Sequence, residues 1–239
     1  NIQDIMRQDV GVDGDAQRLS QLSWLLFLKI LDDQDKELEI LEKNYNSTLN
    51  EEYRWRNWAG NREGLTGDNL IKFISTKLFP YLKEIKLIKN NHERTDVVKE
   101  VFKDSYNYMK SGQLLRQVIN KVDQINFNSL KDRKHFGLIY ERLLNSLQSA
   151  GNAGEFYTPR AITEFIANRL DPNPKEKVLD PACGTGGMIT CCLDHMRKKY
   201  VKTVSDEKLM QNNIIGYEKK PFPFILCVTN MLLKNILNP

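Results

Sequence analysis

One ten-residue segment constrains the fold more than any other: Val178-Leu179-Asp180-Pro181-Ala182-Cys183-Gly184-Thr185-Gly186-Gly187. An apolar stretch ends in an acid, a glycine-rich turn follows, and a helical pattern opens directly behind it. A strand that feeds such a turn belongs to a parallel sheet, whose ligands bind outside the carboxyl ends of the strands. Glycines let the backbone approach a ligand and adopt positive φ, and the first N–H groups of the following helix are free. The flanking sequence agrees. After the small-residue break Gly151-Asn152-Ala153-Gly154, the pattern predicts a helix over 161–170, a strand over 177–180, a helix over 188–200, a strand over 214–218 and a helix over 224–233. This βαβα order implies a parallel sheet with right-handed crossovers.

The first 145 residues have a different grammar. Leu19, Leu22, Leu25, Leu26, Ile30 and Leu31 recur at helical steps after Gly14, with Asp15 as the expected N-cap. Further stripes use Leu70, Ile71, Ile74 and Leu78, stopping near Pro80; Val97, Val98, Val101 and Phe102; Leu114, Leu115, Val118, Ile119 and Val122; and Phe136, Ile139, Tyr140, Leu143, Leu144 and Leu147. About six helices make a bundle-like domain. The expected division is therefore a helical domain over 1–145 and part of an α/β domain over 146–239. The run Tyr53 to Trp58 interleaves aromatics with arginines, as a nucleic-acid clamp would. Three rings in six residues of a connector more often pin a loop onto a core, and that reading is preferred.

Composition sets the outer limits. With 41% hydrophobic and 28% charged residues the chain of 239 is globular, and its size permits a core without disulfides or a structural metal. Cys183, Cys191, Cys192 and Cys227 show no paired metal spacing, and no metal ligand is assigned. Free thiols without a leader-like start point to the cytoplasm. The longest apolar run, around Trp24 to Leu31, is too short to span a bilayer. The two parts carry net charges of +1 and +3, too little to argue for nucleic acid from composition.

The glycine turn distinguishes ligand classes. A Walker loop ends in Gly-Lys-Ser/Thr, but Gly186 is followed by Gly187 and Met188, so the phosphate-gripping lysine is missing. The dinucleotide fingerprint requires a third glycine where Ile189 stands. A nucleoside without phosphate remains. Asp180 and Glu218 both fall at the carboxyl edge of adjacent expected strands, where an acid accepts ribose hydroxyls. A carboxylate beside the turn repels phosphate and suits a cationic ligand with an amino group, such as S-adenosylmethionine. Solvated strand-end acids are the plain alternative, which the order strand, acid, turn, helix, strand, acid within 41 residues argues against.

Three segments, Glu155-Phe156-Tyr157-Thr158-Pro159-Arg160, Asp180 to Gly187, and Gly216-Tyr217-Glu218-Lys219-Lys220-Pro221, together resemble the modification (M) subunit of type I restriction-modification systems, an N6-adenine DNA methyltransferase family. Asp13-Gly14-Asp15-Ala16-Gln17-Arg18, and the Phe136-Gly137 and Ile139-Tyr140-Glu141 pairs ahead of the 154–160 run, look like that family's helical domain and its junction. The resemblance covers essentially the whole chain. It implies a helical bundle followed by the first half of a Rossmann-like, S-adenosylmethionine-dependent domain. It also implies that Glu155, Phe156, Tyr157, Thr158, Pro159 and Arg160 lie against the methionine part of the cofactor. Thr185, Gly186 and Gly187 would bring backbone to it, Asp180 would face its amino end, and Glu218 would hold the ribose. DNA, a specificity (S) subunit, a second M subunit and a restriction (R) subunit are the implied partners.

Cys183 is not read as a nucleophile, because in N6 transfer the exocyclic amine attacks the methyl group itself; burial accounts for it. The family's Asn-Pro-Pro-Phe run, which cradles the adenine amino group, is absent, and Asn238-Pro239 follows the last helix too closely to begin one. No catalytic residue is therefore assigned, and the 239 residues alone are expected to be inactive. Two other readings stay open: a methyltransferase for a non-DNA substrate, and a non-catalytic assembly module.

Overall fold

The computed structural model describes residues 1–86, 92–149 and 158–239; of the side chains, 92, 93, 141 and 143–149 are also outside it. The described residues are predominantly helical, with one small parallel sheet. Two compact units result, one of residues 1–139 with 237–239 and one of residues 140–236.

In the first unit, α1 (Ile2–Met6) precedes the long α2 (Asp15–Leu41). The predicted stripe of α2 is buried, and so are Trp24, Phe27 and Leu28 between its members. Burial on all sides reaches the polar residues of Gln21–Asp35, and they are paired. Lys29 Nζ lies 2.8 Å from Asp33 Oδ1, Arg56 Nε 2.8 Å from Asp32 Oδ1, and Arg94 Nη1 3.0 Å from Asp35 Oδ1. Asp35 also accepts from Tyr45 and Ser47, while Gln34 accepts from Arg94 Nη2 at 2.8 Å. A buried charge tolerates removal from water only with such partners.

The helix starts one residue earlier than expected. Gly14, not Asp15, is the N-cap, because Gln17 Oε1 reaches back to the N–H groups of Asp13 and Gly14 at 2.9 and 3.5 Å. Asp15 opens the first turn and pairs with Arg18 at 2.6 Å. Pro80 does not end its helix either. Helix α3 (Trp55–Trp58) is followed by α4 (Gly67–Phe73), which passes through one wide turn at Ile74–Leu78 into α5 (Phe79–Lys83). Widening the turn ahead of Pro80 accommodates its ring and missing N–H. The hydroxyls of Ser75 and Thr76 bond back to the Ile71 and Lys72 carbonyls there.

The aromatic run packs as the bland reading required. Trp55 and Trp58 are buried, Trp55 Nε1 donates to Asp123 at 2.8 Å, and Arg54 and Arg56 turn to Glu39 and Asp32. Neither tryptophan ring is free to stack on a base. Helices α6 (His92–Lys103), α7 (Gly112–Asp123) and the beginning of α8 (Leu130–Ser149) complete the unit. Arg116 of α7 is buried and donates to the carbonyls of Trp58, Ala59, Asn61 and Leu65, tying the 58–65 loop to the core. The start of α7 is set by Asp9, whose carboxylate accepts the N–H groups of Lys110 at 3.0 Å and Ser111 at 2.9 Å.

The second unit contains α9 (Arg160–Leu170), β1 (Val178–Asp180), α10 (Gly187–Lys199), α11 (Val204–Asn213), β2 (Ile214–Gly216) and α12 (Pro221–Leu233). The strands pair in parallel, with Val178, Leu179 and Asp180 opposite Ile214, Ile215 and Gly216. Strand β2 is two residues shorter than expected, so Glu218 lies just beyond it. Helix α11 is an addition to the expected order: of its residues only Met210 is buried, so no apolar period marks it. Its signal is a capping box, in which Thr203 Oγ1 accepts from Asp206 N–H and Asp206 Oδ2 from Thr203 N–H. The core of the unit gathers Ile189, Cys192, Leu193, Met196, Met210, Cys227 and Met231.

Arg197 forks onto Glu207 at 3.1 Å to both carboxylate oxygens and donates to the Lys234 carbonyl, joining α10, α11 and the end of α12. Burial alone would raise the Glu207 carboxyl, but the hydrogen bonds from Arg197 and Gln211 outweigh it and hold it below its ordinary value of 4.5. A depressed carboxyl stabilises above its unfolded value and loses that contribution as pH falls through the folded one. Glu207→Gln should therefore cost about 1 kcal/mol at neutral pH, and the difference from the parent should vanish on acidification well below 4.5, as read by urea unfolding across a pH series. Among the described residues no helix is long and apolar enough to cross a membrane, and no cluster of His, Cys, Asp and Glu is arranged to hold a metal.

Candidate cofactor site

The site grows out of the end of β1. Asp180 Oδ1 accepts the Ala182 N–H at 3.2 Å, bending the chain out of the strand as a short acid does in a turn. The Asp180 carbonyl accepts from Tyr217 N–H, and the Tyr217 carbonyl from Cys183 N–H, both at 2.9 Å. These bonds carry the pairing past the strand ends and bring the second segment alongside the turn. Glu218 is thereby aimed at the glycines: its Oε2 accepts Gly184 N–H at 3.0 Å and its Oε1 accepts Lys220 N–H at 2.7 Å.

Two glycines of the turn adopt positive φ, +56° at Gly184 and +80° at Gly186. Gly186 is the N-cap of α10 and supplies no side-chain cap, so the first N–H groups of α10 lack one. A Cβ on Gly187 would meet no atom within 4 Å, so space lies open in front of the helix start. A Cβ on Gly186 would instead meet Cys227 Sγ at 2.8 Å and Met231 Cε at 2.9 Å. The turn thus rests its inner side on α12 and turns its outer side to open space. Thr185 is buried, and its carbonyl accepts from Asn230 Nδ2 of α12 at 3.3 Å.

Of the expected site residues, the structure brings together Asp180, Thr185, Gly186, Gly187 and Glu218. Glu155, Phe156 and Tyr157 lie outside the described residues. Thr158 and Pro159 are exposed ahead of α9, where the Pro159 carbonyl accepts from Ile162 and Thr163. The Arg160 guanidinium bonds Glu164 at 2.9 Å and Asp194 at 3.1 Å, the latter seven residues into α10, about 10 Å along the helix from Gly187. Cys183 is buried among core residues, its sulfur 3.9 Å from Cys227 Sγ. The hydrogen bond to Cys183, burial, and the nearby carboxylates of Asp180 and Glu218 hold the Cys227 thiol well above its ordinary range. Sequence reasoning missed Asn230 and Cys227; the signal available was an amide buried within an otherwise apolar helix.

A free helix start, open space before Gly187 and two carboxylates at the strand ends form a set that fits a nucleoside bearing a positive charge rather than a phosphate. A family model described as the HsdM N-terminal domain matches residues 1–122, and one described as N-6 DNA Methylase matches residues 131–239. The chain belongs to the type I restriction-modification methylase subunit family. It is 56% identical over its whole length to the type I restriction enzyme EcoEI methylase subunit of Escherichia coli, and covers 49% of that protein. It is 26% identical over 91% of its length to the EcoKI methylase subunit of E. coli strain K12, covering 39% of it. The chain therefore spans about half the length or less of these curated methylase relatives. Two solved structures of the family are similar. A modification subunit assigned to a type I restriction enzyme of Vibrio vulnificus YJ016 matches with a TM-score of 0.83 and 38% identity over 98% of this chain and 52% of that one. A chain from a structure on complex assembly and conformational transition of the type I system matches with a TM-score of 0.87 and 35% identity, over 100% and 48%.

Proposed function

We propose that this chain is the helical and cofactor-binding part of a type I methylase subunit, which binds S-adenosylmethionine for methyl transfer to adenine N6 in DNA. Residues 1–145 then form the helical domain and 146–239 the first half of a Rossmann-like methyltransferase domain. The observation that carries this reading is the placement of Glu218, fixed by Gly184 and Lys220 N–H groups at the edge of β2, where its remaining lone pairs can accept ribose hydroxyls. Asp180 would accept from the amino group of the methionine part, and the N–H groups at the start of α10 would donate to its carboxylate. When bound, the cofactor supplies the sulfonium methyl group. The residues present here hold and orient it, so their contribution to rate is positioning.

The adenine cradle, and with it transfer, would require an Asn-Pro-Pro-Phe run that these 239 residues do not contain. Target choice would belong to an S subunit, and the assembly would add a second M subunit and an R subunit, in line with the relatives' type I membership. The test is calorimetric titration of the chain with S-adenosylmethionine. Binding is expected, with Glu218→Ala weakening it about tenfold or more, since hydrogen bonds to a charged acceptor are worth about 1.5–3 kcal/mol. No heat with the unmodified chain would favour a non-catalytic assembly module, and methyl transfer to DNA by the 239 residues alone would refute their assignment as the inactive part.

A further inference from the structure

We propose that Cys183 and Cys227 form a disulfide on exposure to a hydroperoxide, and that this bond closes the glycine turn to S-adenosylmethionine. The closing step rests on the cofactor reading above; formation of the bond does not. The two sulfurs lie 3.9 Å apart, one on the turn and one on α12. The other two thiols are placed differently. Cys191 Sγ is 3.0 Å from Thr163 Oγ1, and Cys192 is fully buried in the core.

One sulfur of the pair sits against a glycine of the turn and the other against the last residue of β2. Cys227 Sγ is 2.8 Å from where a Gly186 Cβ would be, and Cys183 Sγ is 3.0 Å from where a Gly216 Cβ would be. A bond of about 2.05 Å requires the sulfurs to approach from 3.9 Å, drawing the turn and α12 together. Gly184 and Gly186, already at positive φ, absorb that movement, so the backbone that would face the cofactor is displaced. Misplacement of positioning groups by about 1 Å suffices to lose function.

The chemistry balances with the hydroperoxide alone. Cys183 is at the turn and donates its sulfur electrons to the terminal peroxide oxygen. The O–O bond breaks, the departing alkoxide takes the Cys183 proton and leaves as an alcohol, and Cys183 becomes a sulfenic acid. The Cys227 sulfur then attacks the Cys183 sulfur. The S–S bond forms, the S–O bond breaks, and the departing hydroxide takes the Cys227 proton and leaves as water.

The experiment treats the reduced chain with hydrogen peroxide, alkylates the remaining thiols, and maps peptides by mass spectrometry beside a titration with S-adenosylmethionine. A peptide joining residues 183 and 227 is expected, with affinity at least about tenfold weaker and restored by dithiothreitol. Cys227→Ser should give no crosslink, and its affinity, whatever its value before treatment, should be the same after peroxide. Cys183→Ala should also give no crosslink, with folding of both variants checked by circular dichroism. Oxidation at Cys191 or Cys192 in preference, or four thiols still free, would overturn the proposal. A crosslink that leaves affinity unchanged would overturn the closing step. A reduced chain that binds no cofactor would overturn that step together with the cofactor reading, while the crosslink is judged in the same sample by mass.

Discussion

Gly186→Val is expected to abolish S-adenosylmethionine binding and to destabilise the second unit by about 2–5 kcal/mol. Two costs combine. At φ +80° a side chain forces the left-handed conformation, unfavourable by about 1–2 kcal/mol and worse for a β-branched residue. The added Cβ would also stand 2.8 Å from Cys227 Sγ and 2.9 Å from Met231 Cε, and overpacking costs about 1–3 kcal/mol. Relief would come by pushing the turn off α12, which moves the start of α10 into the space a ligand needs. Hydrogen exchange over 187–199 reads the lost stability within this unit, and calorimetry reads the lost binding. A Gly186→Val variant with parental affinity would show that the turn's backbone does not touch the cofactor. Gly187→Ala, where a Cβ meets nothing, separates ligand contact from folding: it should leave stability nearly unchanged.

Arg94→Met is expected to cost the first unit about 3–5 kcal/mol. The guanidinium and the Asp35 carboxylate are respectively 4% and 2% exposed; Tyr45, Gln34 and Ser47 add hydrogen bonds to them, while the buried Arg94 Nε has no partner among the described residues. Removing one partner strands the other charge away from water. Removing both is different, because an apolar pair of similar volume replaces a desolvated ion pair at little cost. Arg94→Met with Asp35→Leu should therefore recover most of the loss. Trp24, Trp55 and Trp58 all lie in this unit, so urea unfolding followed by tryptophan fluorescence reports on it directly. A single-variant loss below about 1 kcal/mol would show that the carboxylate finds water or a new donor.

The site was legible where its chemistry is written in contiguous residues. Asp180, the glycines and Glu218 stand in short segments whose residue types have few other uses, and parallel pairing of β1 and β2 places them together as the spacing predicted. Asn230 and Cys227 are not legible as supports of the turn, because α12 is apolar but for Thr229 and Asn230 and reads as core; their role comes from the turn that rests on them. Asp15 reads as a cap in the sequence because the reach of Gln17 back to Asp13 and Gly14 is a three-dimensional fact. Pro80 reads as a stop because a wide turn ahead of a proline leaves no mark on the apolar period. Helix α11 escaped for the opposite reason, with a cap written in Thr203 and Asp206 but almost no buried face.

Asp9 has a consequence for synthesis. Its carboxylate receives the N–H of Ser111, a partner 102 residues later in the chain. At about 5–20 residues per second, a ribosome delivers that partner roughly 5–20 s after Asp9. Throughout that interval the Asp9 carboxylate has only the nearby Gly11 N–H, at 2.8 Å, as a backbone partner, and Met6 and Val12, buried in the finished protein, travel beside it. The opening segment of the helical unit thus waits for a clasp made about a hundred residues later, and it cannot close on its own sequence alone.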